Sequence, residues 1–200
     1  MSGSPVAAAD SSFPQLVSLA AHDLRTPLAT IHGFAQTLIR MGDLGEPKQR
    51  YMEMIDTASR QLAELLDELG TAARIESGRY EPSLQPVDTL ELAEGAANQL
   101  GEERVHVSGE GGEVHVDPEA TERGVAALAQ AALRHGGLEG VELRVDRSTL
   151  TLSPVTKSSA PVVLGDDLRD LGAAVAVRVV RALGGSVELD GETLTVKLPE

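Results

Sequence analysis

The chain has 200 residues, of which 42% are hydrophobic but only 2% aromatic, so aliphatic side chains must fill its core. It contains no cysteine, which excludes disulfides and cysteine-ligated zinc, and its formal net charge of -14 argues against nucleic acid as a partner. No apolar run reaches the length of a membrane span and no signal peptide is recognisable, so we expect a cytoplasmic protein without membrane contact.

The first part of the sequence predicts a tail followed by two long helices. Residues 1–11 are small and polar and are predicted to be disordered. Apolar residues recur at helical spacing from Ser12 to Met41, and a second helix is predicted from Pro47, in its first turn, to Ser77, before Gly78. Residues 12–80 are therefore predicted to form an antiparallel helical hairpin.

The second helix carries a heptad pattern over three repeats. Apolar residues alternate at spacings of four and three, at Tyr51, Ile55, Ala58, Leu62, Leu65, Leu69 and Ala72. A two-helix hairpin cannot bury both of its faces alone, so we expect two chains to pair as a dimeric four-helix bundle.

The rest of the sequence predicts an α+β domain over residues 87–200, joined to the hairpin by a linker at residues 81–86. The predicted fold places helices on one face of a mixed sheet. The predicted elements are a helix over 87–100, a β-hairpin pairing 105–107 with 114–116, a helix over 118–134, strands at 141–145 and 149–152, a helix over 168–183, and a final β-hairpin pairing 186–189 with 193–196.

One short run in the first helix has the composition of a phosphoryl-transfer site. A neutral imidazole at His22 can attack a phosphoryl group, and Asp23 can hold the ring in the required tautomer or accept its other proton. Thr26 lies one helical turn further on and could orient a phosphoryl oxygen or a water molecule. Pro27 lacks a backbone N–H, so it frees the carbonyl of Asp23 and bends the helix, while Arg25 faces either an acidic partner surface or solvent.

The alternative reading of this run is structural: a solvated histidine beside an aspartate, followed by a helix kink. His32 lies too far along the helix to join the site and is predicted to be structural. His106, His115 and His135 lack the spacing of metal ligands, so no metal site is predicted.

Residues 18–34, SLAAHDLRTPLATIHGF, strongly resemble the H-box of bacterial sensor histidine kinases, and the heptad helix matches the dimerisation and phosphoacceptor domain of that family. The resemblance implies that His22 is the phosphoacceptor, that Asp23 assists its chemistry, and that Thr26 is linked to dephosphorylation of a partner response regulator. It also implies that receiver domains of response regulators dock near His22, where we expect Arg25 and Pro27 to contact them.

Residues 87–200 resemble the catalytic ATP-binding domain of the same family, in a shortened and degenerate form. The helix over 119–135 is similar to the N-box helix, but Ala127 and Ala131 stand where the family has asparagines. A methyl group cannot coordinate magnesium or contact phosphate.

Two further nucleotide-binding motifs depart from the family pattern. The strand over 149–152 leads into residues 153–156, SPVT, where an Asp-x-Gly-x-Gly loop would bind adenine. The glycine-rich lid is reduced to Gly172 within residues 170–174, and Asp170 would repel a triphosphate. We therefore expect that ATP and magnesium binding is lost and that the chain has no cofactor.

The leading hypothesis is a homodimeric histidine phosphotransferase, or pseudokinase, of a two-component phosphorelay. His22 would exchange a phosphoryl group with receiver aspartates, supplied by an upstream histidine kinase through a receiver. Three alternatives stay open: an active but divergent sensor histidine kinase, a receiver phosphatase that uses Asp23 and Thr26, and a protein that sequesters a receiver without chemistry.

Overall fold

The computed structural model describes residues 12–42 and 45–199, so the tail predicted at residues 1–11 lies outside the described residues. The chain divides into two compact units between Arg79 and Tyr80. The first unit contains α1 (Ser12–Met41) and α2 (Glu46–Glu76). The second contains β1 (Gln85–Asp88), α3 (Thr89–Leu100), β2 (Val105–Gly111), β3 (Glu113–Val116), α4 (Pro118–Gly136), β4 (Val141–Arg147), β5 (Thr149–Ser153), α5 (Ala160–Val163), α6 (Leu171–Ala182), β6 (Ser186–Asp190) and β7 (Thr193–Lys197).

The first unit is the predicted antiparallel hairpin. Pro47 lies in the first turn of α2, where its missing N–H has no helical partner in any case. Gly78 follows the helix with a φ of +66°, a left-handed conformation that glycine adopts without a steric penalty. Both predicted helices are confirmed, with ends that shift by at most one residue.

Small side chains bring the two helices together inside the hairpin. Ala21, Leu28 and Ala35 recur every seven residues on α1 and are buried. On α2, Gly70 and Ala73 are buried, and a Cβ atom at Gly70 would lie 3.8 Å from that of Ala21. The fully buried residues of α2 are accordingly small or polar: Asp56, Ser59, Gly70 and Ala73.

The predicted heptad positions instead lie on an outer face of the single hairpin. Leu62 is 51% exposed and Leu65 is 47% exposed. Helix α1 adds further apolar side chains that solvent reaches, among them Ile31 and Phe34, the latter 68% exposed. We call the apolar surface formed by the α2 heptad positions the heptad face. Such a continuous apolar surface is typical of a helix that packs against a partner.

The second unit is built on a five-stranded mixed sheet with the order β2-β4-β5-β7-β6. Strands β2 and β4 are parallel, and the other neighbours are antiparallel. Val141, Leu143 and Val145 of β4 are buried, whereas the residues between them are exposed, so one face of the sheet packs against the helices and the other meets solvent. The predicted α+β layer and the final hairpin, β6 with β7, are confirmed.

The predicted β-hairpin pairing residues 105–107 with residues 114–116 is wrong. Strand β2 pairs with β4, and β3 pairs with β1 in a separate two-stranded sheet. The chain runs straight through Gly109, which has a φ of +111° and presses so closely on β4 that a Cβ atom there would lie 1.9 Å from the Val145 carbonyl oxygen. The glycines at this point therefore serve a close backbone approach and not a hairpin turn.

Three smaller boundaries also differ from the prediction. Residues 85 and 86 of the predicted linker belong to β1, and α3 begins at Thr89 because the Asp88 carboxylate accepts a hydrogen bond from the Leu90 N–H at 2.7 Å. Helix α6 begins at Leu171, since Asp170 caps it. Helix α5 is absent from the predicted elements, because its four residues are too few to show a helical period in the sequence.

Candidate functional site

His22 lies on the exposed side of α1, and another side of this helix packs against α2. Ala21, next to His22, and Leu28, two turns after Ala21, are both buried on that packed side. The imidazole and Thr26 are both exposed and share one face of the helix, because they are four residues apart. The side chain of Asp23 lies outside the described part of the structure, so the role predicted for it stays a prediction. This arrangement places the imidazole at the surface of the hairpin, where a group on another protein could reach it.

Arg25, predicted to contact a partner, forms an ion pair across the hairpin with Asp67 of α2. The two side chains are 42% and 47% exposed, so the pair lies at the surface. Pro27 lies inside α1 and is also exposed. Contact of Arg25 and Pro27 with a partner stays a prediction, and any such contact must compete with Asp67 for the guanidinium.

His32 takes no part in this site, in line with its predicted structural role. Its Nδ1 lies 3.0 Å from Oδ1 of Asp56, a carboxylate that is buried between the helices. Gln36 Nε2 donates to the same oxygen at 2.6 Å, and Arg60 lies 3.0 Å from the other oxygen. The sequence did not reveal this cluster, because its residues are scattered over two helices.

The two alanines that stand where the resemblance implies asparagines lie on the packed side of α4. Ala131 of α4 has an exposed fraction of 0%, and Ala127 is partly buried against the same core. Helices α4 and α6 pack directly on each other, so that a Cβ atom at Gly124 would lie 3.5 Å from that of Ala176. The two helices are therefore in direct contact at this point.

The segment after β5 also contributes buried apolar side chains to this part of the second unit. Val155, in place of the adenine-binding loop, is buried, and so are Val162 and Val163 of α5. Helix α5 packs against both α4 and α6. The hydroxyl of Ser158 donates to the His135 carbonyl at 2.8 Å and fastens this segment to the end of α4.

Asp170 fastens the start of α6 to the end of α4. One carboxylate oxygen accepts from the Ala173 N–H at 3.1 Å and caps α6, while the other lies 3.1 Å from His135 Nε2 and 3.5 Å from Arg134 Nη1. The carboxylate is only 11% exposed. From the sequence, Asp170 is expected only to repel a triphosphate. An aspartate three residues before Ala173, at the start of an apolar helix, is nevertheless a recognisable N-cap pattern.

Replacing Asp170 with alanine is expected to lower the free energy of unfolding by about 1–3 kcal/mol, because the variant loses the helix cap and leaves Arg134 and His135 without their carboxylate partner. Urea unfolding followed by circular dichroism measures the change. The exposed Asp166 supplies a matched control, since Asp166→Ala is expected to stay within about 0.5 kcal/mol of the wild type. Equal stability of Asp170→Ala and Asp166→Ala would contradict this role.

Neither a metal cluster nor a membrane helix is found among the described residues. No three histidine, aspartate or glutamate side chains in residues 12–42 and 45–199 lie together in a way that could hold a metal ion. None of the helices in the same part of the chain is both long and apolar enough to cross a bilayer.

Comparison with known proteins places the hairpin in a family. The family model of the His Kinase A (phospho-acceptor) domain matches residues 15–78 of this chain. The probable sensor histidine kinase TcrY of Mycobacterium tuberculosis is 33% identical over 51% of this chain, which spans 20% of the length of that relative.

Solved structures match both units. Full-length ShkA, in complex with AMPPNP, has a TM-score of 0.65 and 20% identity, with coverage of 92% of this chain and 44% of that one. The histidine kinase AdeS of Acinetobacter baumannii has a TM-score of 0.59 and 18% identity, with coverage of 89% of this chain and 97% of that one. At these identities the likeness establishes the fold.

An exposed histidine on a helical hairpin, the matching phosphoacceptor domain and the shared fold of both units agree with one another. Residues 15–78 therefore form a His Kinase A (phospho-acceptor) domain, and the residues after it form a small ATPase-like domain with the fold of the solved histidine kinase structures.

Proposed function

We propose that this chain is a histidine phosphotransfer protein that carries a phosphoryl group on His22 and has lost the use of ATP. The observation that carries the proposal is the contrast between its two units. The imidazole of His22 is exposed, whereas the region that resembles a nucleotide site is filled by packed alanine and valine side chains. An exposed acceptor without an ATP site needs its phosphoryl group from another protein.

The donor is an acyl phosphate on the aspartate of a response-regulator receiver domain. A neutral imidazole nitrogen of His22 attacks phosphorus, the bond from phosphorus to the aspartate oxygen breaks, and the carboxylate leaves. A phosphorus–nitrogen bond forms on His22, and the other ring nitrogen gives up its proton to a base, the role predicted for Asp23. The reverse sequence passes the group to a second receiver, so one residue serves both half-reactions.

The loss of ATP binding rests on packing and on chemistry. The side chains at positions 127 and 131 are methyl groups, which offer no oxygen to magnesium. Ala131 is fully buried, and α5 fills the space beside α4 and α6 with Val162 and Val163. This packing supports the proposal, because separating these elements for a nucleotide would expose apolar surface to water.

Titration calorimetry of the full chain with Mg-ATP tests this part of the proposal. We expect no binding heat up to millimolar nucleotide and no incorporation of label from γ-labelled ATP. Saturable binding, or label on His22 from ATP alone, would overturn the proposal.

One observation favours a second candidate, an active but divergent sensor histidine kinase. The ShkA structure that shares this fold was solved with AMPPNP, so a related domain does hold a nucleotide analogue. The same titration decides between the two, since an active kinase must bind Mg-ATP and label its own histidine.

We propose further that two copies of the chain pair through the heptad face into a four-helix bundle. Sedimentation of the full chain at micromolar concentration is expected to give twice the mass of the 21.0 kDa chain. The double variant Leu62→Lys/Leu69→Lys is expected to sediment as a monomer, because it places a charge at the same heptad position in two successive repeats of this face.

Glu53→Lys provides the control for the dimer experiment. It also adds positive charge to α2, but on the side of the helix away from the heptad face, so its mass is expected to equal that of the wild type. A double variant that still sediments at the wild-type mass would contradict pairing through this face.

A further inference from the structure

Strand β2 forms one edge of the five-stranded sheet, and its only strand partner in the described part of the chain is β4. The Arg104 carbonyl accepts from the Val141 N–H of β4 at 2.9 Å. Peptide groups alternate in direction along a strand, so those of Val107 are directed to the free edge. An edge with unpaired peptide groups is a template for the addition of another strand.

A groove of about 530 Å³ runs beside this edge, between β2 and α3. Its floor is formed by the buried Ala97 and Val105, and Val107 lines it at the strand edge. We call it the β2–α3 groove. A groove between a helix and an edge strand can receive an extended peptide, which gains main-chain hydrogen bonds from the strand and side-chain contacts from the helix.

The borders of the β2–α3 groove are acidic. Glu94 and Glu102 line it, together with the exposed polar side chains of Asn98 and His106. From Leu90 to Gly111 the sequence has five glutamates, all exposed, against a single arginine. Charge of one sign around an edge strand selects a partner of the opposite sign and repels acidic segments.

We propose that the β2–α3 groove binds an extended segment of a partner protein that carries lysine or arginine side chains and adds to β2 as a further strand. Apolar residues that alternate with the basic ones would rest on the floor made by Ala97 and Val105. The proposal does not depend on the chemistry of His22, because every residue that carries it belongs to the second unit.

The test uses the full chain and a short fluorescent peptide of alternating lysine and valine, followed by anisotropy. We expect this peptide to bind, a glutamate–valine peptide of equal length not to bind, and hydrogen exchange to slow at the amide of Val107. The variant Glu94→Lys/Glu102→Lys is expected to weaken binding at least about tenfold, because it reverses the charge at the groove.

Two controls separate strand addition from general attraction to an acidic protein. Glu139→Lys/Glu192→Lys makes the same change in charge at exposed positions of the same unit outside the groove, and is expected to weaken binding by no more than about twofold. A peptide with N-methylated alternate amides keeps its charge but cannot donate to β2, and is expected to bind at least about tenfold more weakly. Equal effects of the two glutamate pairs, or undiminished binding of the methylated peptide, would overturn the proposal.

Discussion

Replacing His22 with alanine is expected to abolish transfer of label from phosphorylated receiver domains to this chain, a loss of roughly two orders of magnitude or more. The reason is that the imidazole is the nucleophile of the proposed reaction and that His32, the other described histidine of the hairpin, is held by Asp56. Because the side chain of His22 is exposed, the substitution leaves the packing of the hairpin intact. The lost label would therefore report lost chemistry and not unfolding.

The measurement uses a panel of receiver domains from the source organism, charged with radiolabelled acetyl phosphate and mixed with the full chain. His32→Gln is the matched control on the same helix, since it removes an imidazole that lies beside Asp56 and outside the site, and it is expected to accept label as the wild type does. Equal labelling of His22→Ala and wild type, or no labelling of wild type by any receiver, would contradict the proposed function.

The receiver-phosphatase alternative makes a different prediction at Thr26, the exposed hydroxyl one turn from His22. If the chain hydrolyses the phospho-receiver through this residue, Thr26→Ala is expected to stop release of inorganic phosphate while the transfer to His22 continues. Following both products in one time course separates the two activities. Transfer and hydrolysis that fall together in Thr26→Ala would argue for damage to the site as a whole.

The helical hairpin and its exposed histidine could be predicted because their signals are local. Periodicity, a proline in the first turn of α2 and a glycine at its end fix the two helices within the sequence itself. The heptad pattern also identified the outer face of α2. What it could not show is that the hairpin closes through smaller residues such as Gly70, because a glycine contributes nothing to an apolar count.

The topology of the second unit could not be predicted in the same way, because strand pairing joins distant residues. Residues 105–107 and 114–116 alternate as the two arms of a hairpin would. In the structure, however, β2 pairs with β4, and Gly109 lies in close contact with Val145 of β4. The attachment of Asp170 to His135 likewise joins two helices that are separated in the sequence by two strands and α5. Patterns within one segment carry no information about such partners.

Restoring an asparagine at position 131 is expected to destabilise the second unit and not to restore nucleotide binding. Ala131→Asn would place an amide where the exposed fraction is 0%, among the buried alanines and valines of the core. Burying an amide without hydrogen-bond partners and overpacking a filled core each lower stability, and we expect a loss of about 2–4 kcal/mol in the free energy of unfolding.

Ala127→Asn is the matched control, because Ala127 lies on the same helix but is only partly buried. Its amide can reach solvent, so we expect a loss below about 1 kcal/mol by the same urea titration. If position 131 instead faced an open nucleotide site, the asparagine amide could form hydrogen bonds with water or with a ligand. Ala131→Asn would then be as stable as Ala127→Asn and would bind Mg-ATP. In that case the loss of ATP binding would be due to the identity of the side chain at position 131 and not to the packing of the fold.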